Sequence, residues 1–130
     1  MLSTAAKLFG VLFLLIGALG FLPAATPNNH LLGIFHVNTV GNVIHLTTGG
    51  LAILAGFTNN RVSKVFFLIS GVFYGLMAFL GFMAGDRPLL GVIAHNTANA
   101  WLHVGIAAVS VAMGVLPEHD TSYDRDASPV

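Results

Sequence analysis

Six polar side chains stand at matched spacings in an otherwise apolar sequence. Asn38, Asn42 and His45 lie at i, i+4 and i+7, and Asn96, Asn99 and His103 at i, i+3 and i+7. On a helix either spacing collects its three residues on one face. Two neutral imidazoles at equal depth on two helices can ligate a haem iron from both sides, or hold a metal ion with Asn and Thr behind them. His36 and His95, near the starts of the same segments, are further candidate ligands. The same groups also suit a purely structural task. Asn and His bond across buried helices while Gly and Ala let backbones approach, each bond contributing on the order of 0.6–2 kcal/mol. A third use is a small-ligand or transport pocket between the two faces. The leading expectation is a polar bundle core of these six residues with no resident cofactor or metal. Haem or metal binding by His45 and His103, and small-ligand binding or transport between helices 2 and 4, are the alternatives.

Catalytic constellations are missing. There is no HExxH, EF-hand or carboxylate cluster, and the absence of cysteine removes thiolate ligands and thiol nucleophiles. Thr47 and Thr48 neighbour His45, yet residues two and three apart rarely present a nucleophile to a base, and no intramembrane acid completes a triad. The chain is therefore not expected to be an enzyme. Trp101 reads as an interface anchor or packing residue.

The elements that must position these side chains are long apolar segments. Of the 130 residues 55% are hydrophobic and 8% charged, with a mean hydropathy of +0.84; a soluble domain carries about a quarter charged residues. Five basic and five acidic residues balance without a basic run, which leaves nucleic-acid binding no electrostatic footing. Four stretches, 5–22, 40–57, 65–83 and 98–116, are 18 or 19 residues long and free of charge apart from Lys7. As helices they span roughly 27–29 Å, close to the hydrocarbon thickness of a bilayer. All five prolines fall outside them. An all-α, four-helix transmembrane bundle over residues 1–116 is expected, with lipid as its solvent and a membrane-protein partner or a homo-oligomer as its company. A cleaved signal peptide ending near Ala24–Ala25 is the alternative for the first stretch. That stretch has a counterpart later in the chain, which favours its retention.

Shifted by 58 positions without a gap, the sequence meets itself. Leu31–Thr39 (LLGIFHVNT) falls on Leu89–Thr97 (LLGVIAHNT), Phe9 on Phe67, Gly17 on Gly75, and Asn38…His45 on Asn96…His103. Two tandem helical-hairpin repeats follow, parallel and related by a pseudo-two-fold along the membrane normal. Lys7, Arg61, Lys64 and Arg125 fall on one side of the membrane against Arg87 on the other. Both termini are thus expected in the cytoplasm, beneath the inner membrane. Residues 117–130 read as a disordered polar cytoplasmic tail. Asn38 or Thr39, and Asn96 or Thr97, are natural N-caps for helices 2 and 4.

Particular motifs carry a family resemblance: FLLIGALGFLP, NTVGNVIHL with Asn38, Asn42 and His45, SGVFYGLMAFLGF, and NTANAWLH with Asn96, Trp101 and His103. Over most of residues 5–116 the chain resembles the bacterial four-helix membrane proteins grouped as domain of unknown function 4383. The resemblance implies a multi-pass membrane location and no established activity. Two positions depart from the pattern. The family often has His where Gly41 stands, and Asp-Asn where Asn99–Ala100 stand, so any metal or proton site of the family is incomplete here.

Overall fold

The computed structural model describes residues 1–117; residues 118–130, and with them nearly all of the tail expected to be disordered, lie outside the described residues. Four helices carry the chain: α1 (Leu2–Leu19), α2 (Thr39–Thr58), α3 (Asn60–Ala84) and α4 (Thr97–Val115). Each is long and apolar enough to cross a membrane. α1 packs on α2 and α3 on α4, giving the four-helix bundle of two hairpins anticipated from the sequence.

Helix limits differ from the expected ones where local chemistry decides. α1 stops at Leu19 rather than Leu22, because Pro23 forces the preceding Leu22 into extended backbone (φ −91, ψ 116) and a single 3₁₀ turn, Pro23–Ala25, follows. α3 starts at Asn60 rather than Val65. The Asn59 side chain accepts the Val62 amide at 2.9 Å, satisfying one of the unpaired first donors. Asn59 alone therefore separates α2 from α3.

At the opposite end the two connections fold as tight hairpins. Leu31 pairs with Phe35 in a ribbon of β1 (His30–Leu31) and β2 (Phe35–His36), and Leu89 pairs with Ile93. Between them lie Leu32-Gly33 (φ 55 and 73) and Leu90-Gly91 (φ 51 and 75). Positive φ at both central residues is the type I′ requirement; glycine meets it freely, and each leucine costs roughly 1–2 kcal/mol. The two turns stand 58 residues apart, so the repeated LLG is one turn built twice. Phe9 and Phe67, also 58 apart, meet edge to face at 5.5 Å between α1 and α3.

The helices touch through glycine. A Cβ on Gly10 would stand 2.8 Å from the Gly49 carbonyl, and one on Gly49 2.9 Å from the Gly10 carbonyl. Gly114 against Leu68 does the same for α3 and α4. What these contacts enclose includes polar groups beside apolar ones: Asn42, His45, Ser63, Ser70, His103 and Ser110 are all buried. Apolar side chains face outward instead, among them Phe57 (75% exposed), Val72 (73%) and Leu8 (68%). Such an arrangement is costly in water and natural in lipid, where outward apolar surface has no drive to bury and polar groups must be satisfied internally.

Candidate functional site

The polar residues gather at the hairpin end of the bundle. Asn38 is the N-cap of α2, its Oδ1 accepting the Gly41 amide at 3.0 Å. Its Nδ2 donates to the Val92 carbonyl in the second repeat's turn at 2.8 Å. Asn96 caps α4 by accepting the Asn99 amide at 3.0 Å. Its own Nδ2 donates to the Ile34 carbonyl in the first repeat's turn, again at 2.8 Å. Ile34 and Val92 are 58 apart, as are Gly41 and Asn99, so each asparagine does the same two jobs across the pseudo-two-fold.

Asn99 joins the repeats a second way. Its Oδ1 accepts the His36 amide at 3.0 Å and its Nδ2 donates to the His36 carbonyl at 3.2 Å, extending the β2 edge as a neighbouring strand would. The His36 ring stacks on His30, centroids 4.9 Å apart, and its Nδ1 lies 3.3 Å from the His95 carbonyl.

His45 and His103 turn inward without meeting face to face. Phe13 of α1 and Tyr74 of α3 come between their helices: Phe13 is edge-on to His45 at 5.6 Å, Phe13 to Tyr74 at 5.5 Å, and Tyr74 is tilted over His103 at 5.4 Å. The Tyr74 hydroxyl bonds the Thr48 hydroxyl at 3.0 Å. Nδ1 of each of the two histidines is buried without a partner in the chain. Both line one cavity of about 20 Å³ together with His36, Tyr74 and Asn99. That volume admits a single water molecule, which can donate to two acceptors at once. It does not admit a haem, so the residues present do not fit the axial-ligand alternative. Among the described residues no three His, Asp or Glu groups come close enough together to hold a metal ion. Asn42 points elsewhere. Its amide fills the space left by the missing Cβ of Gly20, the C-cap of α1, with Oδ1 unpartnered.

His95, in the connection before α4, is shut from solvent at 1% exposure, its ring laid against Gly81. Burial holds its pKa below the usual 6.5; the Gly81 backbone and the Asp86 carboxylate oppose that shift, and His36 adds to it. Asp86 also accepts the Thr97 amide at 3.1 Å and lies 3.3 Å from the Thr97 hydroxyl, anchoring the start of α4.

Sequence reasoning passed over Tyr74, Phe13 and Asp86. Tyr74 had a signal: a phenol amid aliphatic side chains in a spanning segment needs a partner, and Thr48 is a hydroxyl within a span. Asp86 had one as well, being the acid nearest the start of α4.

Two larger spaces adjoin this cluster. One, of about 600 Å³, opens at the hairpin end and includes Gly20, Asn38 and Asn42 in its wall. The other, of about 660 Å³, is an apolar groove where α2 and α3 diverge, with the Thr48–Tyr74 pair on its lining. Apart from His36 in the first, the lining of neither contains a basic or acidic side chain.

No curated protein and no solved structure matched this chain. A family model described as "Domain of unknown function (DUF4383)" matches residues 3–116, which takes in all four helices and both clasping asparagines. With that match over most of its length, the chain belongs to the DUF4383 family.

Proposed function

We propose that this protein is a non-catalytic, multi-pass component of a bacterial inner membrane, with both termini in the cytoplasm, acting as a structural or accessory subunit. The observation that carries the reading is the distribution of polarity: exposed apolar side chains cover the helices while Asn, His, Ser and Tyr are among the buried groups. Several polar groups bond within the chain: Asn38 to Val92, Asn96 to Ile34, Thr48 to Tyr74, and Ser63 to the Ala55 carbonyl at 3.1 Å. Polar groups bonded in this way hold helices together. Long exposed apolar faces suit lateral contact with lipid and with other membrane helices.

The natural chain has no cysteine, so single-cysteine labelling is clean. Thr4→Cys and Ala24→Cys stand at opposite ends of α1, both exposed. In intact cells a membrane-impermeant thiol reagent is expected to modify the Ala24 variant and spare the Thr4 variant. The reverse pattern would overturn the orientation. The absence of a cofactor is tested separately: a Soret band that is lost in His45→Ala would replace the structural role by a haem-binding one.

A further inference from the structure

The pseudo-two-fold is an internal control. Features built in both repeats, such as the asparagine clasp and the LLG turn, are what the scaffold requires. Features built once need another reason, and one of them is the cavity of about 600 Å³ at the hairpin end.

This cavity exists because the two repeats diverge at one point. α3 runs on to Ala84, whereas α1 stops at Leu19, whose counterpart is Met77 in mid-helix. Pro23, standing where the second repeat has Gly81, ends α1, and the chain from Gly20 to Asn29 unwinds into two single 3₁₀ turns. Unwound backbone at the end of a membrane span is tolerated where it lines a cavity, and interrupted spans are where polar ligands bind in many membrane proteins. Gly20, Phe21, Pro23, Thr26 and Asn29 of that segment form one wall.

Asn42 adjoins that wall, its amide seated against Gly20. It is 2% exposed and its Oδ1 has no partner. An unpaired buried amide oxygen costs about 1–3 kcal/mol, which a donor that reached it past Gly20 would recover. The Gly20–Asn42 pair corresponds to Ala78 and Ala100 in the second repeat, both buried. One repeat therefore has two methyl groups at this position, and the other fills it with an amide.

We infer that this cavity is a binding site for a neutral, hydroxyl-rich ligand: a sugar or polyol, taken either free or as the headgroup of a glycolipid. Apart from His36 the lining holds no acidic or basic side chain, so it offers little counter-charge to a phosphate or carboxylate and none to an ammonium. Asn42, with Asn29 and Thr39 exposed near the mouth, offers the mixed amide and hydroxyl groups that bond ligand hydroxyls. Phe21, 47% exposed, and Pro23 supply apolar faces for the C–H side of a pyranose ring. The volume lies within the ~300–1,000 Å³ range of small-molecule sites.

The test uses the full chain in phosphatidylcholine nanodiscs prepared without glycoside detergents. Glucose, galactose, mannose and glycerol are tried in turn by saturation-transfer difference NMR. In a second arm, nanodiscs carrying glucosyl and galactosyl diacylglycerol are read for retained lipid by native mass spectrometry. The variant Gly20→Ala/Asn42→Ala copies the pair found in the second repeat. Phe21→Ala alters only an exposed side chain and serves if the double variant does not fold. Saturable binding of a free sugar or polyol, weakened at least tenfold in a folded variant, supports a soluble ligand. Selective retention of the glycolipid alone, lost in the variant, supports the headgroup as the source. Binding in neither arm, or binding undiminished in folded variants, overturns the site.

Discussion

Asn38 and Asn96 each cap their own helix and donate to the turn of the other's repeat, to Val92 and Ile34, both at 2.8 Å. The two bonds are images of one another under the pseudo-two-fold, so neither repeat holds its turn in place alone. Asn38→Ala removes a cap and an inter-repeat bond together and should destabilise the fold by about 1–3 kcal/mol. Asn96→Ala should cost a similar amount. The double variant should lose less than the sum, because the first loss already loosens the pair of turns that the second asparagine grips. Unfolding in mixed micelles measures all three, and strict additivity would count against a shared clasp.

Gly49 and Gly50 are adjacent on α2 and should behave oppositely. A methyl at Gly49 would lie 2.8 Å from the Leu14 amide nitrogen and 2.9 Å from the Gly10 carbonyl, backbone that cannot swing aside. Gly49→Ala should therefore cost about 1–3 kcal/mol by forcing α1 and α2 apart. At Gly50 nothing lies within 4 Å. Gly50→Ala should be neutral or stabilising by up to about 1 kcal/mol through helix propensity. Thermal melts of the two purified variants check the contrast.

The Thr48–Tyr74 bond ties α2 to α3 beside the apolar groove. Tyr74→Phe and Thr48→Val each break it while keeping most of the volume. Each should cost about 0.6–1.7 kcal/mol, with a coupling energy of similar size in a double-mutant cycle. A coupling of zero would mean that the hydroxyls bond elsewhere in the membrane.

Stability should fall as pH drops below 6.5, in part through His95. Its folded pKa is lowered, by burial first of all. Between that lowered value and 6.5 the unfolded chain binds more protons than the folded one, so stability rises with pH across this window. Below the folded pKa the whole of that contribution is lost. Melting temperatures taken from pH 7.5 down to 5 should show the decline, and His95→Gln should flatten it relative to wild type. An unchanged slope in the variant would assign the titration to another group.

Much of this architecture was legible in the sequence because lipid imposes simple rules. Four uncharged segments of spanning length, prolines outside them, and asparagines just ahead of α2 and α4 each follow from hydropathy, helix geometry and capping. The 58-residue offset pointed to matched helical hairpins and matched histidines. The second bond of each asparagine was not legible, since Nδ2 reaches a carbonyl that only the folded LLG turn presents. Nor could spacing alone reveal that Phe13 and Tyr74 stand between the helices of His45 and His103, or that Asn42 leans toward Gly20, the C-cap of α1. Helical periodicity assigns a face; which neighbour that face meets depends on how the hairpins dock. The early end of α1 was written in Pro23, but an unbroken apolar run through Leu22 hid it.

The joint between the repeats is a single residue, Asn59, braced where Ser3 donates to Asn60 Oδ1 from both its amide and its hydroxyl at 2.9 Å. So short a tether does little to hold the halves, which instead recognise each other through reciprocal contacts, residue i meeting j while j's counterpart meets i's. That reciprocity defines an isologous dimer. The chain is thus geometrically a homodimer fused through one amino acid, whose subunits have since grown unequal at Gly20 and Asn42. Cut at the joint, with residues 1–59 and 60–130 coexpressed as separate chains, it should reassemble and copurify; halves that fail to associate would show that the tether does more than connect.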